Sequence, residues 1–419
     1  MENVVISTWG ALIGLALAII LIVKNFHPTY SLIFGALVGG LIGGGGLADT
    51  VKVMISGSAG MMSPVLRIMT SGILAGCLVK TGSAEKIADT IVRKLGDKRA
   101  LFAVAVSTLV ICAVGVFIDI AVITAAPIGL AVAKKSKLSK SALLLALIGG
   151  GKAGNIISPN PNTIATSEAF GLNLNSLMYI NIIPAIFALI VTVILSIRLS
   201  KKATDYVTDQ ALDELSEKDL PSFFKAICGP LVVIILLALR PTLDITIDPL
   251  IALPLGGVVC LLATGELSKL TEYSNYGFSK VLGVCALLIG TGTLSGIITN
   301  SNLQTDILDL IDRFNLPAFI LAPLSGVLMG AATASTTAGA TIASSTFAES
   351  LIKANVSSLN AGAMVHAGAT VLDSLPHGSF FHATGGSVKM DIKQRLKLIP
   401  YEALVGLTST LVAVIIYLI

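Results

Sequence analysis

Apolar runs long enough to cross a bilayer recur along the whole of this chain, and that repetition limits its fold more than any other feature. The runs are 4–23, 28–46, 60–79, 100–133, 141–170 and 178–199, then 223–239, 249–265, 280–298, 317–352, 358–388 and 398–418. A hydrocarbon core of about 30 Å takes roughly 20 apolar residues as helix. Within lipid every backbone polar group must be satisfied internally, which leaves helices or closed barrels. Charged residues are 12% of the 419 and mean hydropathy is +0.89, whereas soluble domains carry about 25% charged residues. The expectation is an all-α polytopic membrane protein. The first run has Glu2 before it and Lys24 after it, the reverse of a basic leader, and reads as a retained span.

A polar stretch, KKATDYVTDQALDELSEKDL at 201–220, divides the runs into two sets of six. The division is 1–202, a cytoplasmic linker 203–222, and 223–419. Aligning Gly76 with Gly296 brings Ile87, Asp89, Ile91 and Arg93 onto Ile307, Asp309, Ile311 and Arg313. Both aligned pieces read as short amphipathic helices at the membrane surface, with Ile87, Ile91 and Leu95 on one stripe and Leu303, Ile307 and Ile311 on the other. The fourth run of each set is too long for one helix and too short for two spans. Small and polar residues fill its middle (113–122 and 329–345), so each is expected as a re-entrant hairpin. Five crossings per half then make the halves inverted repeats. With both termini outside, 22 of the 28 lysines and arginines fall on the cytoplasmic side. Only Lys52, Arg240, Arg313 and Lys353 lie opposite, and Arg67 and Lys152 lie near or within the membrane. That split is what the positive-inside rule requires.

The fifth run of each half is interrupted. GGGKAGNIISPNPNTIATSEAFG (149–171) and VHAGATVLDSLPHGSFFHATGG (365–386) align Lys152 with His366 and Ala153-Gly154 with Ala367-Gly368. Broken helices at matching places in two halves are the strongest sequence pointer to a transporter's central site. Lys152 would supply a fixed cation there, and half-helix amino termini would add partial positive charge. Asn155, Ser158, Asn160, Asn162 and Thr163 in the first break, Ser374, His377 and Ser379 in the second, and Thr336 and Thr337 at the second hairpin tip would hydrogen-bond a hydroxylated substrate. Lys152 pairing structurally with Glu168 is the alternative to substrate contact, and Arg67 reads as a helix-end anchor. Asp119, Asp373 and His366 are the candidate proton-coupling groups, because an ionised carboxylate at membrane depth costs at least ~3 kcal/mol unless neutralised. The pocket suits a small hydroxylated carboxylate moving with protons. Coupling to Na⁺ is the second reading, since Ser, Thr and Asn oxygens also hold that ion.

Several other chemistries are set aside. The spacings of His366, His377 and His382 match no zinc pattern. The five cysteines stand singly in apolar runs, as small core residues do. Gly149, Gly151 and Gly154 spell a dinucleotide fingerprint without the strand–helix context it needs, and Ala153 follows Lys152 where a P-loop requires Ser or Thr. His366, Asp373 and Ser374 lack any nucleophile or metal motif around them. No catalytic residue, metal or cofactor is expected, and a net charge of +4 does not point to nucleic acid. A non-transporting membrane sensor is the remaining alternative class.

GGGKAGNIISPNPNTIA, HAGATVLDSLPHGSFFHATGG and the early FHPTYSLIFGALVGGL resemble the gluconate permease (GntP) family of the ion transporter superfamily over nearly the whole chain. That resemblance implies proton symport of gluconate or a related sugar acid or hydroxy acid across an inner (cytoplasmic) membrane. It also implies a homodimer working by an elevator-like motion, with residues 1–99 and 203–314 as scaffold and 100–202 and 317–419 as the moving transport part. Gluconate-type members carry histidine beside the prolines of the first break; here Asn160 and Asn162 flank them. The chain therefore resembles a departing subgroup, for which a shorter hydroxy acid is as suitable a cargo.

Overall fold

A computed structural model of the chain describes residues 6–24, 26–96, 99–201, 205–207, 219–243 and 247–303, together with 305, 306, 309, 313 and 317–419. The first half contains α1 (Thr8–Val23), α2 (Pro28–Ile42), α3 (Leu47–Ala59), α4 (Met62–Lys80), α5 (Ser83–Leu95), α6 (Ala100–Ala113), α7 (Ile118–Lys135), α8 (Lys140–Asn155), α9 (Pro161–Ala169), α10 (Leu174–Ile180) and α11 (Ile182–Ser200). The second contains α12 (Phe223–Leu243), α13 (Pro249–Thr264), α14 (Leu270–Thr299), α15 (Leu321–Thr333), α16 (Thr336–Lys353), α17 (Ser358–Ala369), α18 (Ser379–Ser387), α19 (Ile392–Leu396) and α20 (Ile399–Leu418). The expected second amphipathic segment, with Ile307 and Ile311, and most of the linker lie outside the described residues.

Among the described residues, four stretches are long and apolar enough to span a membrane, at 62–80, 182–200, 267–299 and 392–418, and six shorter apolar helices accompany them. On α11, Ile183, Ile186, Phe187, Ile190, Ile194 and Ile197 are exposed, an apolar stripe at helical spacing that lipid would cover. Two of the shorter helices are α6 and α15, of 14 and 13 residues. At 1.5 Å per residue they rise only about 20 Å, and each turns directly into the next helix, α7 or α16. The first turn passes through Gly115 at φ +105° and the second through Ala334 at φ +45°. The second is a left-handed position that costs an L-residue about 1 kcal/mol.

The order of elements recurs. Helix α1 packs on α2 as α12 packs on α13; α6 and α8 pair as α15 and α17 do; α8 meets α11 as α17 meets α20. Between the halves, α4 and α14 cross at glycines, where a Cβ on Gly277 would lie 1.7 Å from the Gly72 carbonyl oxygen. Only glycine lets the two backbones meet there.

The sequence pattern needs adjustment at two places. On α5 the buried face is Ser83, Ala84, Ile87, Ala88 and Val92, which keeps Ile87 of the expected stripe and leaves Ile91 and Leu95 only partly buried. That face meets protein, because α5 packs against α6, α7 and α12. Arg395, counted with the cytoplasmic cations, is buried against Glu402.

Candidate functional site

The first break is built by one asparagine. Helix α8 ends at Asn155 and α9 begins at Pro161, where a proline at the first helical position loses no hydrogen bond. Asn160 caps α9, its Oδ1 accepting from the Asn162 and Thr163 backbone amides at 3.1 Å each. Its Nδ2 donates back to the Asn155 carbonyl at 2.9 Å and to Asn155 Oδ1 at 2.6 Å. Thr163 Oγ1 donates to the same Asn160 oxygen at 3.2 Å. Asn160 and Thr163 thus shape the break from inside. Ser158 is fully buried and its hydroxyl has no protein partner.

The second break, Thr370–Gly378, centres on Asp373. Its carboxylate accepts from Thr336 Oγ1 at 2.5 Å and Ser374 Oγ at 2.9 Å, and Lys152 Nζ stands 2.7 Å away. One side chain therefore joins the second break, the second hairpin tip and the end of α8. The ammonium of Lys152 also donates to the Thr370 and Glu402 carbonyls. Lys152 does not pair with Glu168. His377 is exposed, its Nε2 3.2 Å from the Ala332 carbonyl oxygen. His366 is fully buried with both ring nitrogens lacking a protein partner.

These parts enclose a cavity of about 270 Å³, near the lower end of small-molecule sites. Asp119 and its neighbours at the start of α7, Pro161 and Asn162 of α9, Thr336 and Thr337 of α16, and Ser379 and Phe380 of α18 line it, with Asn155 and Asp373. Four helix amino termini converge on one space, each carrying partial positive charge. Thr337 Oγ1 donates to Asn162 Oδ1 at 2.5 Å, which turns the Asn162 amide nitrogen away from that contact. Both Asn155 Nδ2 and Asn162 Nδ2 are buried donors without a partner among the described residues, the kind of group that a bound acceptor would satisfy.

The structure thus gathers Asn155, Asn162, Thr336, Thr337, Ser379, Asp119 and Asp373 at the cavity. It sets Lys152, Ser158, Asn160, Thr163, Ser374, His366 and His377 away from its wall. Lys280, Val284, Phe117 and Phe380 also line it without having been foreseen. Lys280 falls among the cytoplasmic cations of the charge split, and no local signal distinguishes a lysine that faces a cavity from one that faces water.

A second polar cluster lies beside it. Arg67 of α4 holds Asp248, the amino-terminal cap of α13, with Nε at 3.0 Å and Nη2 at 2.7 Å, and also bonds Glu168 near the end of α9. Hydrogen bonding to the Arg67 guanidinium holds the Asp248 carboxyl below the usual carboxylate range. Arg67 therefore does more than anchor a helix end: it ties two helices to the far side of the first break. Beyond the second break, the buried Arg395 pairs with Glu402 and stacks 4.7 Å over the Phe381 ring, securing α18 to α20.

Comparison with known proteins agrees with this architecture. An uncharacterized transporter of Haemophilus influenzae is 54% identical over 412 residues, covering 98% of each chain. The D-serine transporter DsdX of Escherichia coli is 22% identical over 364 residues, 80% of each chain. In fold, the chain is similar to the YdaH transporter of Alcanivorax borkumensis, with a TM-score of 0.69 at 14% identity over 97% of this chain and 98% of that one. The sequence profile of GntP family permeases matches residues 6–419. Since that match leaves only the first five residues outside it, the chain belongs to the GntP permease family and is a multi-pass membrane transporter.

Proposed function

We propose that this permease is a secondary active transporter that carries a small hydroxylated carboxylate, gluconate or a related sugar acid or hydroxy acid, together with protons. The observation that carries the reading is the convergence of four helix amino termini and two unsatisfied carboxamide donors on one cavity. Such a site favours an anion that also accepts hydrogen bonds. Asn155, Asn162, Thr336, Thr337 and Ser379 are the proposed substrate contacts. Lys152, Asn160, Thr163 and Ser374 hold those contacts in place from behind, while the buried Ser158 and the exposed His377 make no hydrogen bond to them.

Asp119 faces the same cavity and is the proposed proton acceptor, since protonating it removes a charge from membrane depth; Asp373 is already neutralised by Lys152, and a proton there would leave the ammonium unpaired. The recurring element order and the two short turn-back arms support inverted repeats with re-entrant hairpins. Residues 1–99 and 203–314 are then the scaffold and 100–202 and 317–419 the moving part, in an inner-membrane homodimer with both termini outside. A relative that carries D-serine supports including that hydroxylated zwitterion among the probes.

Uptake of labelled gluconate, glycerate and D-serine into proteoliposomes tests the reading, with proton and Na⁺ gradients imposed separately. Uptake driven by an inward proton gradient and abolished by an uncoupler is expected. Uptake that follows Na⁺ alone would overturn the proton assignment. Lack of uptake under both gradients would overturn the substrate class.

A further inference from the structure

The ammonium of Lys152 is held in an unusual way. It lies 2.6 Å from the Thr370 carbonyl oxygen, 2.7 Å from Asp373 Oδ1 and 3.3 Å from the Glu402 carbonyl oxygen, in a residue only 2% exposed. Thr370 is the cap that ends α17, so its carbonyl is one of those that the helix leaves without an intrahelical partner. One carboxylate oxygen and two main-chain carbonyls around a single positive charge form the all-oxygen set that hard cations take; Thr370 and Asp373 belong to the unwound segment, where transporters place such ions, and Glu402 to α20.

We propose that the second break is a monovalent-cation site whose permanent occupant is the chain's own Lys152 ammonium. Asp373 lies between that ammonium and the cavity: the carboxylate lines the cavity wall and Lys152 does not. The tethered charge therefore neutralises Asp373 from behind and stays with the protein when the cavity empties. His366, which aligns with Lys152 in the other half, makes no such contact among the described residues, so the matching place holds no such site. Its consequence for coupling rests on the transport reading above: a carrier that brings its own cation to this site needs no Na⁺ there.

Melting curves of purified protein test the site without any substrate. Wild type, Lys152→Ala and Lys152→Ala/Asp373→Asn are compared in sodium, lithium, potassium and choline chloride at equal ionic strength. Wild type is expected to melt at one temperature in all four salts. Lys152→Ala is expected to melt lower in choline and to be raised saturably by Na⁺, by about 5 °C at a hundredfold excess over Kd. Adding Asp373→Asn is expected to remove that response.

A monodisperse Lys152→Ala that ignores all three alkali ions would overturn the proposal. So would a wild type that is itself saturably stabilised by Na⁺ while the double variant keeps the response. Should Lys152→Ala fail to fold in every salt while Lys152→Met folds, the ion does not replace the ammonium and the proposal falls. Na⁺-responsive melting without uptake of any probe would keep the site and retire the substrate reading.

Discussion

Glu168→Gln removes one arm of the Arg67 cluster and leaves the other intact, because Asp248 still receives two guanidinium nitrogens. In the proposed elevator, Arg67 and Asp248 belong to the scaffold and Glu168 to the moving part, so the Arg67–Glu168 bridge must break in every cycle. The side chains are 23% and 29% exposed. The bridge's worth therefore lies between the ~0.2–1 kcal/mol of an exposed pair and the 3–5 kcal/mol cost of breaking a buried one. A value of about 1–2 kcal/mol corresponds to a roughly 5- to 30-fold shift between conformations. A cysteine replacing Ser379 on the cavity wall reads that shift through its rate of labelling by impermeant maleimides from each side of a vesicle. Cys228 is half-buried and the other four native cysteines are buried, so Cys228→Ser supplies a quiet background. The Gln variant should label several-fold faster from the side that this conformation closes. An unchanged labelling ratio, with unchanged uptake, would mean that Arg67 does not cross a moving boundary.

Asn162→Ala deletes a buried donor and the acceptor of Thr337, and should raise the KM for the carried acid about tenfold, near 1.4 kcal/mol, while the melting temperature stays within a few degrees. Arg395→Met should cost roughly 3–5 kcal/mol by leaving Glu402 buried and uncompensated, and Arg395→Met/Glu402→Leu should recover most of it; a double-mutant cycle in reversible SDS unfolding measures this, and additive losses would refute it. Because Arg67 lowers the folded-state pKa of Asp248, that carboxylate contributes stability above its ordinary pKa of about 3.9 and loses it as pH falls through the lowered value. Acid melting below about pH 4 should therefore destabilise wild type more than Asp248→Asn, and parallel curves for the two would refute the assignment.

Much of the architecture was legible because it depends on local rules. Pro161 and the glycines before it break a helix wherever they occur, and the length of an apolar run decides whether it can span. Run length marks the α6–α7 and α15–α16 turns, and likeness to the first break marks the α17–α18 interruption. A simple stripe misplaces part of the face of α5, where packing on α6, α7 and α12 overrides it. Within the cavity the carboxamides and hydroxyls are legible in the sequence, but the partner of the central cation is not. Lys152 serves Asp373, 221 residues away in the chain.

The sequence by itself determined that this chain lives in lipid, that its helices break at two matching places, and which polar residues sit beside the breaks. Those outcomes follow from apolar length, from proline and glycine, and from the cost of bare backbone in hydrocarbon. The tertiary structure alone decided who meets whom: Lys152 with Asp373, Arg67 with Glu168 and Asp248, and Lys280 with the cavity rather than only with water. The physical reason is that an ion pair has no periodicity. At membrane depth a charge takes whichever opposite charge or carbonyl the packing brings within about 3 Å, and that packing is set by helices meeting across hundreds of residues.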